Sequence, residues 1–240
     1  ASRDNALIGA AEGATFKDLS LNACNMELPY RAAGLVCEST RCKYENVHLV
    51  GGTVITAKGG GVGGIIYESK ADTLINCSVG DDCTIKGIGR LKHETSDVGG
   101  IAFHAVGSEF TDCYNKGKVE GVYGHVGGIV AECEDSEFKH CVNDKSAVVS
   151  IEKQYKPVII LDPNGKPIKT PGDEEKSGDY GAGIAAKAKH SWFRKCVNYG
   201  KVDARFEYAG GIVGHGDGIW VLNCLNSTPS GFLVFGDKIT

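Results

Sequence analysis

The sequence predicts an all-β fold: a parallel β-solenoid, or β-helix, of about seven coils. Three observations carry this reading: a repeat of about 28 residues, the short β-type runs within it, and the abundance of glycine. Gly34, Gly64, Gly100, Gly128, Gly183 and Gly211 each open an apolar Leu or Ile step. Ten residues after each stands Tyr44, Leu74, Phe110, Phe138, Phe193 or Val221, and three residues later comes Val47, Cys77, Cys113, Cys141, Cys196 or Cys224. The intervals between the glycines are 30, 36, 28, 55 and 28 residues, so one small and one large insertion interrupt a steady period. Counting back from Phe16 and Leu19 finds a degraded first copy with Ala6, Leu7 and Ile8 in the opening slot.

Gly-Ile-Val and Phe-x-x-Cys runs read as strands, and Asn-x-Gly turns follow them in the cleanest copies (Asn115 with Gly117, Asn198 with Gly200). Such short strands cannot bury a face alone, whereas stacked coils can. Equivalent strands then pair in parallel at about 4.8 Å per coil. Tyr44, Leu74, Phe110, Phe138, Phe193 and Val221 become an interior ladder, with Cys77, Cys113, Cys141, Cys196 and Cys224 as a second ladder beside it. Propeller blades need about 40 to 50 residues, and leucine-rich repeats need a Leu-x-x-Leu-x-Leu pattern that is absent. Helical repeats are disfavoured by the 34 glycines, since glycine weakens helices and suits turns and close backbone approach.

The Gly-Gly-Ile-Val step followed by Phe-x-x-Cys-x-Asn-x-Gly-x-Val resembles the GLUG-type repeat. That repeat occurs in large bacterial surface proteins, including the non-catalytic region of immunoglobulin-A-cleaving metallopeptidases. The match is closest at 99–130, 127–143 and 183–213 and covers most of the chain outside one insertion. It implies a β-solenoid and a surface habitat. The metallopeptidase zinc motif does not carry over, because Asp97 stands where a second histidine would have to follow His93 and Glu94.

With 240 residues, 42% hydrophobic, 23% charged and a net charge of −4, the chain suits one soluble domain, 1–240. The mild acidity argues against nucleic acid as a partner, and no apolar run approaches the roughly 18 to 20 residues of a membrane span. The chain starts without Met and shows no signal peptide, so it reads as a mature or excised segment. Five of the ten cysteines share one repeat slot and read as small buried hydrophobes. Cys24, Cys37, Cys42, Cys83 and Cys133 lie outside it. A Cys37–Cys42 bridge across one corner is the alternative to free thiols in an oxidising compartment. Without a Cys-x-x-Cys pair, no metal is expected, and no cofactor motif appears. Lys58-Gly59-Gly60-Gly61 lacks Walker spacing and reads as a tight corner.

Gly80-Asp81-Asp82-Cys83 and Gly214-His215-Gly216 resemble elements of pectin-cleaving right-handed β-helix hydrolases, but their order and spacing differ. About five coils, or about 24 Å, would separate them, whereas paired carboxylates must face each other within about 10 Å. The aspartate pair therefore reads as a turn. Glu132 and Glu134 occupy slots matching Lys187 and Lys189, which predicts two inter-coil ion pairs. At no more than about 1 kcal/mol each, such pairs set register more than they stabilise.

Between the fourth and fifth glycine-led coils lies an insertion, 151–179, read as a β-hairpin around Asp162-Pro163-Asn164-Gly165 with a polar return. It is either a binding element, as insertions on one solenoid face often are, or a surface loop. Trp192 and Trp220 both precede the inward slot, so strand alternation turns them outward on neighbouring coils beside Arg194 and His190. Two exposed indoles with a cation would make a platform for a sugar ring or a peptide side chain. Alternatively, Trp220 covers the open end, or both pack under the hairpin. The apolar run 231–236 would cover the end of the stack or lead into further sequence.

The expected function is a non-catalytic cell-surface or secreted repeat module for adhesion, binding or structural presentation. Its ligand-binding candidates are Trp192, Trp220, Arg194 and His190. Its expected partners are a host or neighbouring-cell glycan or protein, other domains of the same chain, or a second copy end to end. The alternative is a carbohydrate-active β-helix enzyme, which would need carboxylates on matching faces of adjacent coils; none shows in the aligned slots. Ice binding would need flat threonine arrays, and these are absent too.

Overall fold

A computed structural model describes residues 4–89, 96–152, 160–161, 167–168, 179–204, 208–228, 232–234 and 238–239. His93, Glu94 and the expected turn at 162–165 lie outside them. Among the described residues every regular element is a β-strand, and the pairings are parallel apart from one hairpin. Each turn of the stack has three walls. In one turn the first wall is Val126–Gly127 and Val130–Glu134, the second Glu137–Lys139 and Val142–Asn143, and the third Val148–Ile151. Six turns carry all three walls, and a seventh carries the first two in Tyr208–Leu222 and Leu225–Asn226. The expected seven coils are thus six complete turns and a partial one.

The slots read from the sequence are the registers of this stack. Phe110 pairs with Phe138, Phe138 with Phe193 and Phe193 with Val221. The ring centroids of Phe110–Phe138 and Phe138–Phe193 stand 4.8 and 4.9 Å apart, which is the rise of one turn. All three phenylalanines are fully buried. Burial at about 1.5–3 kcal/mol per large side chain outweighs the extra stacking term of about 0.5–1.5 kcal/mol per pair.

The cysteine ladder is free and faces the core, and each thiol donates to the carbonyl of the aromatic slot one turn back, as Cys141 does to Phe110 O at 3.5 Å. Cys37 and Cys42 are also free. Cys42 belongs to the main core, whereas Cys37 sits in a separate small cluster with Ala33 and Tyr67, so no bridge joins them. Beside the cysteines runs a ladder of side-chain amides. Asn115 donates to Asn143 at 2.8 Å, Asn143 to Asn198 at 2.8 Å, and Asn198 to Asn226 at 2.9 Å. In earlier turns the same column holds Leu49 and Val79, so the interior changes from apolar to hydrogen-bonded partway along.

Two features force the chain to turn in register. First, Asp18, Asn46, Asn76, Asp112, His140, Lys195 and Asn223 hold φ between 51° and 55°, a left-handed bend within the second wall of each turn. Second, the Gly-Gly step bends the first wall. A Cβ on Gly63, Gly99, Gly127 or Gly210 would run into the carbonyl oxygen of Ile66, Ala102, Val130 or Val213 three residues on. A Cβ on Gly64, Gly100, Gly128 or Gly183 would run into the carbonyl of Gly100, Gly128, Gly183 or Gly211 in the next turn. Ala33 and Ala182 replace the first glycine in two turns, but the second position is glycine in every glycine-led turn. Immediately after the step two consecutive residues, such as Ile129 and Val130, both face the core. Strict strand alternation forbids that, so the wall folds back on itself here.

The predicted inter-turn ion pairs form, Lys187 to Glu132 at 3.3 Å and Lys189 to Glu134 at 2.6 Å. The insertion contains an antiparallel pair, Ile160 with Ile168 and Leu161 with Pro167, as the hairpin reading requires. Phe232–Val234 and Lys238–Ile239 add in parallel to the seventh turn, so the apolar run does extend over the end of the stack.

Gly128→Ala would place its methyl against Gly183 O and 2.7 Å from Asn143 Oδ1. Relief would strain the Gly128 N–H to Ala182 O bond at 3.0 Å. The expected loss is about 1–3 kcal/mol or more, read as a lower urea midpoint. Ala182→Gly, at the tolerant neighbouring position, should cost no more than about 1 kcal/mol. Equal losses at the two sites would contradict this account.

Candidate functional site

The structure brings together three of the four residues singled out from sequence. Trp192 and Trp220 are in register on the outer side of the second wall. Their rings stack at 4.3 Å and 8°. The Arg194 guanidinium lies 5.1 Å from the Trp192 ring centre and its Nε is 3.3 Å from Glu137 Oε1. Both indoles are half-buried. Each covers one face of the other, so the pair offers a ligand less open ring face than two separate indoles would. His190 stands apart from the indoles, in the left-handed corner before the strand. Its Nδ1 is 3.8 Å from Asp135, and its ring leaves no room for a Cβ on Gly218.

A second group, not foreseen from sequence, fills the outer corner created where the first wall folds back. A residue at the start of the first wall meets residues of the later part of that wall, in its own turn or the next. At one end Arg31 reaches Glu68 at 3.8 Å and lies 5.4 Å from the Tyr67 ring. At the other end His125 Nε2 is 3.3 Å from Glu132 Oε1. The His125 ring stacks on Tyr180 at 5.1 Å, and Tyr180 stacks on His215 at 4.7 Å and Tyr208 at 5.6 Å. Two carboxylates clamp the backbone beneath. Asp97 accepts the His125 N–H at 2.6 Å and Asp179 accepts the Gly124 N–H at 2.9 Å. Asp97, Glu132 and Asp179 come from three successive turns. Carboxylates on adjacent turns also stand in shared slots, Glu38 with Glu68 and Glu109 with Glu137, contrary to the expectation that none would.

Burial governs the titration of Asp97 and His125. It pushes the Asp97 carboxyl up to about 6; the His125 N–H bond and Lys187 oppose this, and Glu132 and Asp179 add to it. Burial also lowers the His125 imidazole, helped by Lys187 and His215 and opposed by Glu132 and Asp179. His125 Nδ1 is buried without a hydrogen-bond partner, which suits a neutral ring whose second nitrogen faces Glu132. In contrast, Asp81 and Asp82 form an exposed turn, and His215 lies four turns further along, not five, on a different wall. Among the described residues no group of three or more His, Cys, Asp or Glu side chains is placed to hold a metal ion. No described helix is long and apolar enough to cross a membrane. No protein-family model, curated protein or solved structure matches the chain.

Asp97 has a higher pKa folded than unfolded, so its stabilising contribution is complete below its ordinary value of 3.8 and is lost as pH rises through about 6. His125 runs the other way, its contribution being lost as pH falls. Comparison with Asp97→Asn isolates the aspartate. The variant should gain about 1–2 kcal/mol on wild type between about pH 5 and about pH 7.5, measured by urea unfolding at each pH. A difference independent of pH would remove the buried charge from the account.

Proposed function

We propose that the chain is a non-catalytic cell-surface or secreted repeat module that binds or presents, within a larger protein. The observation carrying this reading is the half-exposed Trp192–Trp220 stack with Arg194 on a wall whose neighbours are locked in register. Rigid aromatic anchors with an adjacent cation suit recognition, since little side-chain freedom is lost on binding. The resemblance to GLUG-type repeats supports an extracellular setting, and the partner would be a host or neighbouring-cell glycan or protein. No cofactor, nucleic acid or membrane insertion enters this reading.

A second reading has its own observation. Asp97, Glu132 and Asp179 surround His125 on adjacent turns, and Asp97 is raised towards neutrality as a general acid would require. That favours a carbohydrate-active enzyme as the alternative.

A screen of glycans and matrix proteins, run on wild type, on Trp192→Ala/Trp220→Ala and on a version with 151–179 replaced by a short turn, tests the first reading. A specific hit lost in the tryptophan variant is expected. A chain that instead releases reducing ends from a polysaccharide, and loses this in Asp97→Asn, would overturn it in favour of the enzyme.

A further inference from the structure

The tryptophan stack belongs to a larger apolar patch that narrows the partner class. Of the described large hydrophobic side chains that are exposed, half cluster here: Tyr199 at 47%, Leu222 at 44% and Leu225 at 49%. Leu222 follows Trp220 on the same side of the strand and is in register with Arg194. Leu225 continues the outward row of Val142 and Val197, both half-buried. In the fourth turn the equivalent positions carry Glu109, Thr111 and Tyr114. The outward positions of this wall therefore change from polar to apolar over its last turns, and several large apolar side chains left exposed on one wall mark a contact.

The charges around it are unbalanced. Glu137 serves both Lys139 at 2.9 Å and Arg194 at 3.3 Å, two cations on one carboxylate. Lys195 is exposed and has no ion pair among the described residues. The rim is thus cationic on a chain whose net charge is −4. Two copies meeting patch to patch would set these cations against each other, so a self-complementary dimer is disfavoured. Stacking takes one face of each indole from a saccharide, whereas the exposed leucines beside them add apolar area suited to a side chain.

We infer that this patch docks an exposed segment of a partner protein, with an apolar side chain at its centre and Asp or Glu on its flanks. This rests on the chain being a binding module and names the partner class of that site. The apolar centre would supply affinity, and the acidic flanks would supply register and association rate.

Synthetic peptides with a Phe-Leu centre flanked by Asp and Glu, beside matched peptides flanked by Lys, test it by titration against the whole chain. The acidic peptide should bind about tenfold or more tightly than the Lys-flanked one, and less so as salt rises. Leu222→Ser/Leu225→Ser should weaken it about tenfold. Both leucines are exposed, so an unchanged melting curve is expected to confirm the fold. Arg194→Glu/Lys195→Glu should reverse the flank preference. Equal binding of both peptides, indifference to these variants, or no peptide binding at all would overturn the inference. So would concentration-dependent self-association abolished by the leucine variant, which makes a second copy the occupant. A glycan hit with silence towards peptides overturns the partner class while leaving the binding module standing.

Discussion

The close approach of backbone to backbone at the Gly-Gly step is the constraint on which the rest of this structure depends. There the first wall folds back until a carbonyl three residues on, and another in the next turn, occupy the places where Cβ atoms would be. Inter-turn hydrogen bonds pass through the step itself, Gly64 to Gly99 at 3.1 Å and Gly100 to Gly127 at 3.0 Å. Any side chain at the second position must push two turns apart, and with them the ladders on the other two walls. One local restriction thereby sets the spacing of the stack.

The same fold-back has two products. Inside, it sends two consecutive apolar residues into the core, which the alternation of a straight strand cannot do. Outside, it makes a re-entrant corner in which side chains seven or so positions apart in sequence meet, as His125 and Glu132 do. Corner filling follows size complementarity. Phe103 lies against Gly61 and stacks on Tyr67 at 4.4 Å at one end, and the Tyr180 side chain lies against Gly214 at the other. Burial at the second end depresses the His125 imidazole and raises the Asp97 carboxyl, against the His125 N–H that Asp97 accepts.

Much of this was legible from the sequence because a solenoid converts sequence period directly into spatial register. The aromatic and cysteine ladders, the Glu132–Lys187 and Glu134–Lys189 pairs and the pairing of the tryptophans all follow from counting positions after a glycine. What stayed hidden lies where the count does not reach. The corner residues Asp97, His125, Tyr180 and Tyr208 share a register but no chemistry, so no slot announces them. Their convergence with Glu132 and His215 depends on a backbone reversal, not on spacing. Cys37 and Cys42 looked like neighbours across a corner, yet alternation puts them on opposite sides of the wall. The asparagines read as turn formers, and only the stack shows that their amides hydrogen-bond one another in the interior. Stacking of Trp192 on Trp220 followed from register, but its cost to an open binding face did not.

Residue-resolved hydrogen exchange on the native chain tests the central claim most directly. If the Gly-Gly step sets the stack, the amides of Gly100 and Gly128 should exchange among the slowest in the molecule. They should be as protected as the core positions Ile101 and Ile129 that follow them, because opening there requires separating turns. Exchange at these glycines as fast as at the exposed turn of Asp81 and Asp82, with the aromatic ladder still protected, would show that the stack holds without them and would contradict the account.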